Sequence, residues 1–405
     1  MKRLYILFSL VLYGTIVAFS QDVFRYHKSS LYSIMLKHEN QEFCEELVAC
    51  FNKIPIPEKF NDHNLQIRVF KAGIQEESDT SSVANQKPHI DALLKQNAIG
   101  RRLVAKWFNY SKDGTCNLDL IKERGYYNVS VNDVIKSQYT MDREKSNLKL
   151  DLIKKAGEEL FEHTYVLVND ICYGDKRSRK EERMSAAIAL GGIPGVGMLT
   201  VAGAGVLAHN YSGFNVTVTS YLYKLNWTDE TELGFYNLYW SDTPNAEKKA
   251  AFNKDKELFT LEYVGHYTTH SENANLKGVN DRETQIRKVC TRAIDKSIAQ
   301  LQKQHPQFRV RTELSTASPI TAKIGLREDV TENSLFEVLE VGRTPDGRAT
   351  YKRVATIKPK KGAIWDNRYL AELEDDYNHS ITSTEFELVS GSIPYEGMLI
   401  REIDK

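Results

Sequence analysis

The chain has 405 residues, 54 basic and 54 acidic side chains, and 41% hydrophobic residues. That length exceeds one ordinary hydrophobic core and sets an expectation of about two or three domains. The balanced charge gives no basic field for a polyanion, so nucleic-acid partners are not expected.

Met1, Lys2 and Arg3 precede an uncharged, mostly apolar run from Leu4 to Phe19, which closes on Ala18-Phe19-Ser20. A positive start, an apolar stretch of about 15 residues and a small-x-small junction read as a cleavable secretory signal peptide over 1–20. The alternative, an uncleaved anchor, is less favoured because a spanning helix needs about 20 apolar residues. No Cys lies near the junction, which argues against a lipid anchor. Without residues 1–20 the balance is 52 basic against 54 acidic. The expected location is the periplasm, the face of the outer membrane, or the medium.

Residues 21–60 read as an N-terminal helical segment. Ser29 and Ser30 suit a cap for a helix through Leu31, Ile34 and Met35, and Phe43, Leu47 and Phe51 repeat on one helical face. Ile54-Pro55-Ile56-Pro57 ends it, since proline lacks a donor and disfavours helix before it. Cys44, Cys50, Cys116, Cys172 and Cys290 are an odd, scattered set without C-x-x-C, so neither a zinc knuckle nor a dithiol redox pair is signalled. A Cys44–Cys50 bridge would require the helix to break, because six helical steps point the two thiols to different faces.

From 61 to 312 the pattern alternates and implies an α/β layer domain. Strands are expected at 65–70, 164–171, 214–225, 258–268 and 308–312. Helices are expected at 90–108, from Asn132 or Asp133, at 146–162, 233–239 and 284–304. Residues 76–90 are polar and read as a loop, and 125–128 as a turn. The run 164–171 reads as a central, buried strand. From 318 to 405 short strands at 320–324, 335–341, 350–357, 383–388 and 398–403, separated by turns, imply a small β-barrel. The fold class is α+β: a mixed-sheet α/β layer domain followed by a small all-β barrel-like domain.

Residues 184–208, inserted in the α/β domain, are 25 consecutive residues without a charge. Ala187, Gly191 and Gly195 are spaced by four, as are Ala204 and Ala208, and small residues at that interval let helices approach closely in a membrane. Pro194 argues for a break into two short halves. A membrane-inserting or oligomer-facing hairpin, a hairpin buried in the fold, and a loop all remain open at this point.

No G-x-S-x-G, P-loop or H-E-x-x-H motif occurs. Glu262, His266 and His270, with Glu272 following, would line one side of a strand, a spacing that favours a polar face over a metal site. Asp62 and His63 read as loop hydrogen-bonders. Tyr221, Tyr223, Trp227 and Trp240 lie in an aromatic-rich stretch that would suit a ligand platform, though packing beneath a sheet is the commoner fate of such residues. No catalytic residue, cofactor or metal ligand is expected.

In the order of its elements the chain resembles the curli-secretion lipoprotein CsgG and flagellar assembly T-protein group of bacterial envelope proteins. The residues that carry this are Gly100-Arg101-Arg102-Leu103-Val104, Leu120-Ile121-Lys122-Glu123-Arg124-Gly125, Ala156-Gly157-Glu158-Glu159-Leu160 with Tyr165-Val166-Leu167-Val168, and the helix over 289–301. The resemblance spans about 100–310 loosely, and its motifs are unspecific. The small β domain is similar to a C-terminal barrel of the flagellar member. The resemblance implies envelope assembly or secretion without catalysis, sometimes as a ring. The chain departs from the group in lacking a lipidation Cys and in placing a glycine-rich stretch where the group can place membrane-spanning β-hairpins. The expectation is a non-enzymatic, exported cell-envelope protein that oligomerises or touches the membrane through 184–208, with envelope proteins or its own copies as partners. The alternatives are an exported carbohydrate- or peptide-binding protein and, less favoured, a metal-dependent hydrolase using His266 and His270.

Overall fold

The computed structural model describes residues 29–72, 83–128, 159–175, 214–272, 282–343 and 349–403. The leader 1–20, the helix expected from Asn132 or Asp133, most of 146–162 and the stretch with Ala187, Gly191, Gly195, Ala204 and Ala208 lie outside these residues. The fold is α+β, as the alternation of elements implied: a mixed sheet and a closed barrel.

The mixed sheet has strand order β2-β1-β4-β5-β6, with β3 also pairing β1. These are β1 (Ser30–Lys37), β2 (Asn61–Asp62), β3 (Val69–Lys71), β4 (Thr164–Asp175), β5 (Phe214–Leu225) and β6 (Leu261–Glu272). β1 runs parallel to β2, β3 and β4, whereas β5 is antiparallel to both β4 and β6.

β1 corrects the first expected helix. Leu31, Ile34 and Met35 match helical spacing, but Tyr32 and Leu36 are apolar too, and all five are buried. Such a continuous run fits a strand covered on both faces as well as it fits a helix. Pairing with β3 and β4 decides the matter.

Helix α1 (Cys44–Lys53) forms as expected, with Leu47 and Phe51 buried and Ile54 extended behind it. It is unbroken, and all five cysteines are free. The expected loop at 76–90 gives way, from residue 83 on, to α2 (Val83–Gln96), which tolerates Pro88 and turns Ile90 and Leu94 into the core. The helix expected over 90–108 is two, because Ala98 adopts a left-handed conformation (φ 50°) ahead of α3 (Ile99–Trp107). Gly100 is needed there, since a Cβ at this position would sit 2.2 Å from the Phe259 carbonyl oxygen. The turn expected at 125–128 is the last turn of α4 (Asp119–Asn128). The Thr228 hydroxyl accepts from the Thr231 N–H and starts α5 (Asp229–Leu238); α6 (Ala246–Lys254) and the long α7 (Arg282–Gln304) follow. The strand expected at 308–312 begins only at Thr312; Pro306–Phe308 is a 3-10 turn whose Phe308 packs against Phe60 and Tyr165.

Alternation along the strands divides the apolar side chains between two cores. On the front face Tyr32, Ile34, Val166, Val168 and Tyr223 meet α2 and α3. On the back face Leu31, Met35, Leu167 and Leu222 meet α1 and α7. In the back layer Asn169 donates to the Ser33 hydroxyl (3.0 Å) and the Ile34 carbonyl (3.2 Å) and accepts from Ser220 (2.7 Å), so this buried amide is satisfied across three strands.

The barrel closes in the order β10-β11-β8-β7-β12-β9. Its strands are β7 (Thr312–Ala317), β8 (Ile320–Ala322), β9 (Leu335–Arg343), β10 (Ala349–Pro359), β11 (Thr384–Gly391) and β12 (Leu399–Ile403). Every pairing is antiparallel. The expected strands are all present in some form, but β7 begins ahead of residue 318 and is required for closure, which leaves no unpaired edge. Leu314, Val338, Ile357 and Phe386 fill a third core.

α7 is the wall that both bodies share. Ile286, Val289, Ile294 and Ile298 face the sheet. Its other side carries Asp295, paired with Arg327 at 2.9 Å, and Lys288 and Arg292, which meet Glu374 at 3.0 and 2.7 Å.

Candidate functional site

The front face of the sheet changes character along the strands. Val166 and Val168 lie under the helices, while Asp170 and Cys172 continue the same face of β4 toward its carboxyl end. β1 runs beside them in parallel with Leu36 opposite Asp170, so His38 follows just past the end of β1. On β5, Thr219 stands opposite Asp170 and Thr217 opposite Cys172; on β6, Thr268 and His270 stand opposite those threonines. Two polar rows result: Asp170–Thr219–Thr268 and Cys172–Thr217–His270.

His38 Nε2 lies 2.5 Å from Asp170 Oδ1, with side-chain exposures of 14% and 9%. The Cys172 thiol points to the same carboxylate oxygen at 3.9 Å. All three potential ligand atoms lie within 4.8 Å of one another, the one such His/Cys/Asp/Glu group among the described residues. Cys172 is exposed as a residue, yet protein packed around its sulfur, and then the Asp170 carboxylate, push the thiol up to about 12. It is therefore a protonated thiol at neutral pH and a poor nucleophile as it stands. His, Asp and Cys together are the N, O and S donors that borderline transition metals take.

His266 and His270 do share the exposed side of β6. Each ring is engaged by a hydroxyl: His266 Nδ1 with Tyr263 at 2.7 Å, and His270 Nδ1 with Thr217 at 2.8 Å. A bulge opposite Leu222 and Tyr223 separates Glu262 from the register of the two histidines. The structure does not bring the four residues into a metal cluster.

The aromatic platform is corrected. Tyr221 and Tyr223 are each 1% exposed. Trp227 sets its edge on Phe161 at 4.4 Å, and Trp240 packs on Tyr236 at 5.4 Å and Phe108 at 5.9 Å. Tyr221 and Tyr223 remove far more area from water in this cluster than an open platform would allow, while Trp227 and Trp240 are half-buried against the same core.

His63 is a hydrogen-bonder, as its sequence neighbourhood suggested, but a fully buried one. Its Nε2–H donates to the Leu103 carbonyl (3.2 Å) and its Nδ1 accepts from Arg124 (2.9 Å). Burial, and then the Arg124 charge, hold its pKa well below the usual range, so the ring is neutral.

A cleft of about 710 Å³ lies between residues 57–59 and the barrel. It is lined by Lys59, Arg311 and Arg327 together with Glu313 and Glu328, a mixed set of charges that selects no single sign of ligand. On the barrel, Leu388, Val389, Ile393 and Tyr395 expose large apolar side chains within eight residues.

Sequence reading missed His38, Asp170 and Cys172 as a group. The usable signal was Asp170 and Cys172 two apart on a strand whose earlier positions are apolar. His38 joins them only through the parallel pairing of β1, from 132 residues away. No protein-family model matches the chain, and no curated protein matches it.

Proposed function

We propose that this is a non-enzymatic, exported component of the bacterial cell envelope that meets a membrane, or copies of itself, through residues 184–208. The observation that carries this reading is the register of β4 and β5. They remain paired up to Asp175 and Phe214, so the chain leaves for 176–213 and returns at adjacent strand ends. The segment that holds the 25 uncharged residues thus has both its ends at the tip of one ribbon. A surface loop is ordinarily polar, and an uncharged stretch of that length needs an apolar environment or a partner. The exposed apolar side chains at 388–395 give the barrel a second surface suited to contact with another protein. Among the described residues no helix is long and apolar enough to cross a membrane.

The paired ends make the test clean. Residues 176–213 are replaced by Asn-Gly, the turn that two-residue hairpins favour. The expected result is that the full chain fractionates with membranes or as an oligomer, and the replaced chain as a soluble monomer. A full chain that is already a soluble monomer, or an unchanged partition after replacement, would overturn the reading.

A further inference from the structure

We propose that His38, Asp170 and Cys172 form a binding site for a divalent ion of the zinc type. The ligands are the imidazole Nε2, one carboxylate oxygen and the Cys172 sulfur, and a fourth position is left for water or an incoming ligand.

The first support is geometric. Around a tetrahedral zinc ion with bonds of about 2.0–2.3 Å, ligand atoms stand roughly 3.3–3.6 Å from one another. Nε2 and Oδ1 are now 2.5 Å apart, and Sγ and Oδ1 3.9 Å, with all three atoms inside 4.8 Å. An ion entering between them opens the first distance and closes the second by less than about 1 Å each.

The second support is electrostatic. Asp170 is only 7% exposed, and among the described residues its one ion-pair partner is His38. No Lys or Arg is paired with it among the described residues, so a bound cation would give this nearly buried carboxyl a fixed positive partner.

The third is position. Asp170 and Cys172 are two apart on a strand paired with β1 as far as Asp170 and with β5 throughout, which fixes their spacing, and His38 follows the strand parallel to it. The carboxyl ends of parallel strands are where open sheets place their ligands. His38 and Asp170 form a nearly buried floor, whereas Cys172 is exposed, so an ion could enter from the Cys172 side. Three protein donors with one open side are the pattern of a zinc site that accepts a further ligand, as opposed to a closed structural site.

The test uses the full chain stripped of metal with a chelator and then titrated with Co²⁺ and with Zn²⁺ alone. One equivalent of Co²⁺ is expected to produce a thiolate-to-cobalt charge-transfer band in the near ultraviolet, together with the intense visible bands of four-coordinate cobalt, and Zn²⁺ is expected to abolish both. Cys172→Ser removes the charge-transfer band, and His38→Gln weakens zinc binding at least about 100-fold, more than loss of an outer partner does. His266→Gln with His270→Gln leaves binding unchanged. Because a variant at this cluster could perturb the fold, the unaltered chain supplies a second measurement: zinc slows modification of Cys172 by a maleimide, read by peptide mass. Absence of one-equivalent binding, a charge-transfer band that survives Cys172→Ser, or Cys172 modification indifferent to zinc would each overturn the site. None of these outcomes depends on where the protein partitions.

Discussion

The two halves of the front face of the sheet are built from the same strands and treated in opposite ways. Under α2 and α3, β5 presents Tyr221 and Tyr223 to a core with Trp107, Phe108 and Phe235. A few residues away, the same face of β5 presents Thr217 and Thr219, joined to His270 and Thr268 across the strand at 2.8 and 3.0 Å. The aromatic half attracts notice in the sequence and is packing. The polar half has no motif and holds the one cluster of mixed donor groups among the described residues. Among the described residues, what separates them is whether a helix lies above, so richness in rings marked where the sheet is covered and said little about where it meets a ligand.

That contrast can be broken, and the largest effect should come from the covered half. Trp107 is fully buried and its indole N–H donates to Thr164 at 2.9 Å. Trp107→Ala is expected to cost about 3–5 kcal/mol in denaturant unfolding. A cost under about 1 kcal/mol would mean that this half is not sealed.

Acid tests the same seal. The folded-state pKa of His63 is lowered, so its contribution to stability is complete above the unfolded value near pH 6.5 and is lost as pH falls below it, while the unfolded chain takes up a proton that the folded ring refuses. His163 and His305 are also lowered, first by burial, and add to the slope. Stability should fall by about 1.4 kcal/mol per pH unit for each such proton, and His63→Asn should remove one share of that slope. Equal slopes in the two proteins would show that His63 takes up its proton in the folded state.

A smaller effect is expected deeper in the covered half. The Tyr223 hydroxyl donates to Asp91 at 2.8 Å beside a cavity of about 280 Å³. Tyr223→Phe should cost about 1 kcal/mol in the same unfolding measurement. The smallest belongs to the open half, where Thr217→Val should change stability by less than about 0.5 kcal/mol. If Thr217→Val costs as much as Tyr223→Phe, the polar rows help to hold the sheet together and the contrast is lost.

Much of the fold was legible where one element carries its own signal. The apolar stripe from Ile286 to Leu301 marked α7, and the β-prone run from Phe214 to Leu225 marked β5. Errors fell where a partner decides. β1 is apolar on both faces and takes its form from β3 and β4. β7 belongs to the barrel only because β8 and β12 close on it. The candidate site was illegible for the same reason: its spacing exists in the sheet and nowhere along the chain. Asp170 and Cys172 could be placed on one face from the alternation of β4, but His38 could not be placed beside them before β1 was known to be a strand.

The shared helix has a mechanical consequence. α7 presses apolar side chains on the sheet, while its opposite side holds Asp295 against Arg327, and Lys288 with Arg292 against Glu374. Sliding the barrel along this helix would strand charges that lie largely out of water, which costs several kcal/mol for each broken pair. The barrel is therefore geared to the sheet rather than tethered to it. A pull applied to the exposed rim around Ile393 is expected to reach β5 and β6 through α7.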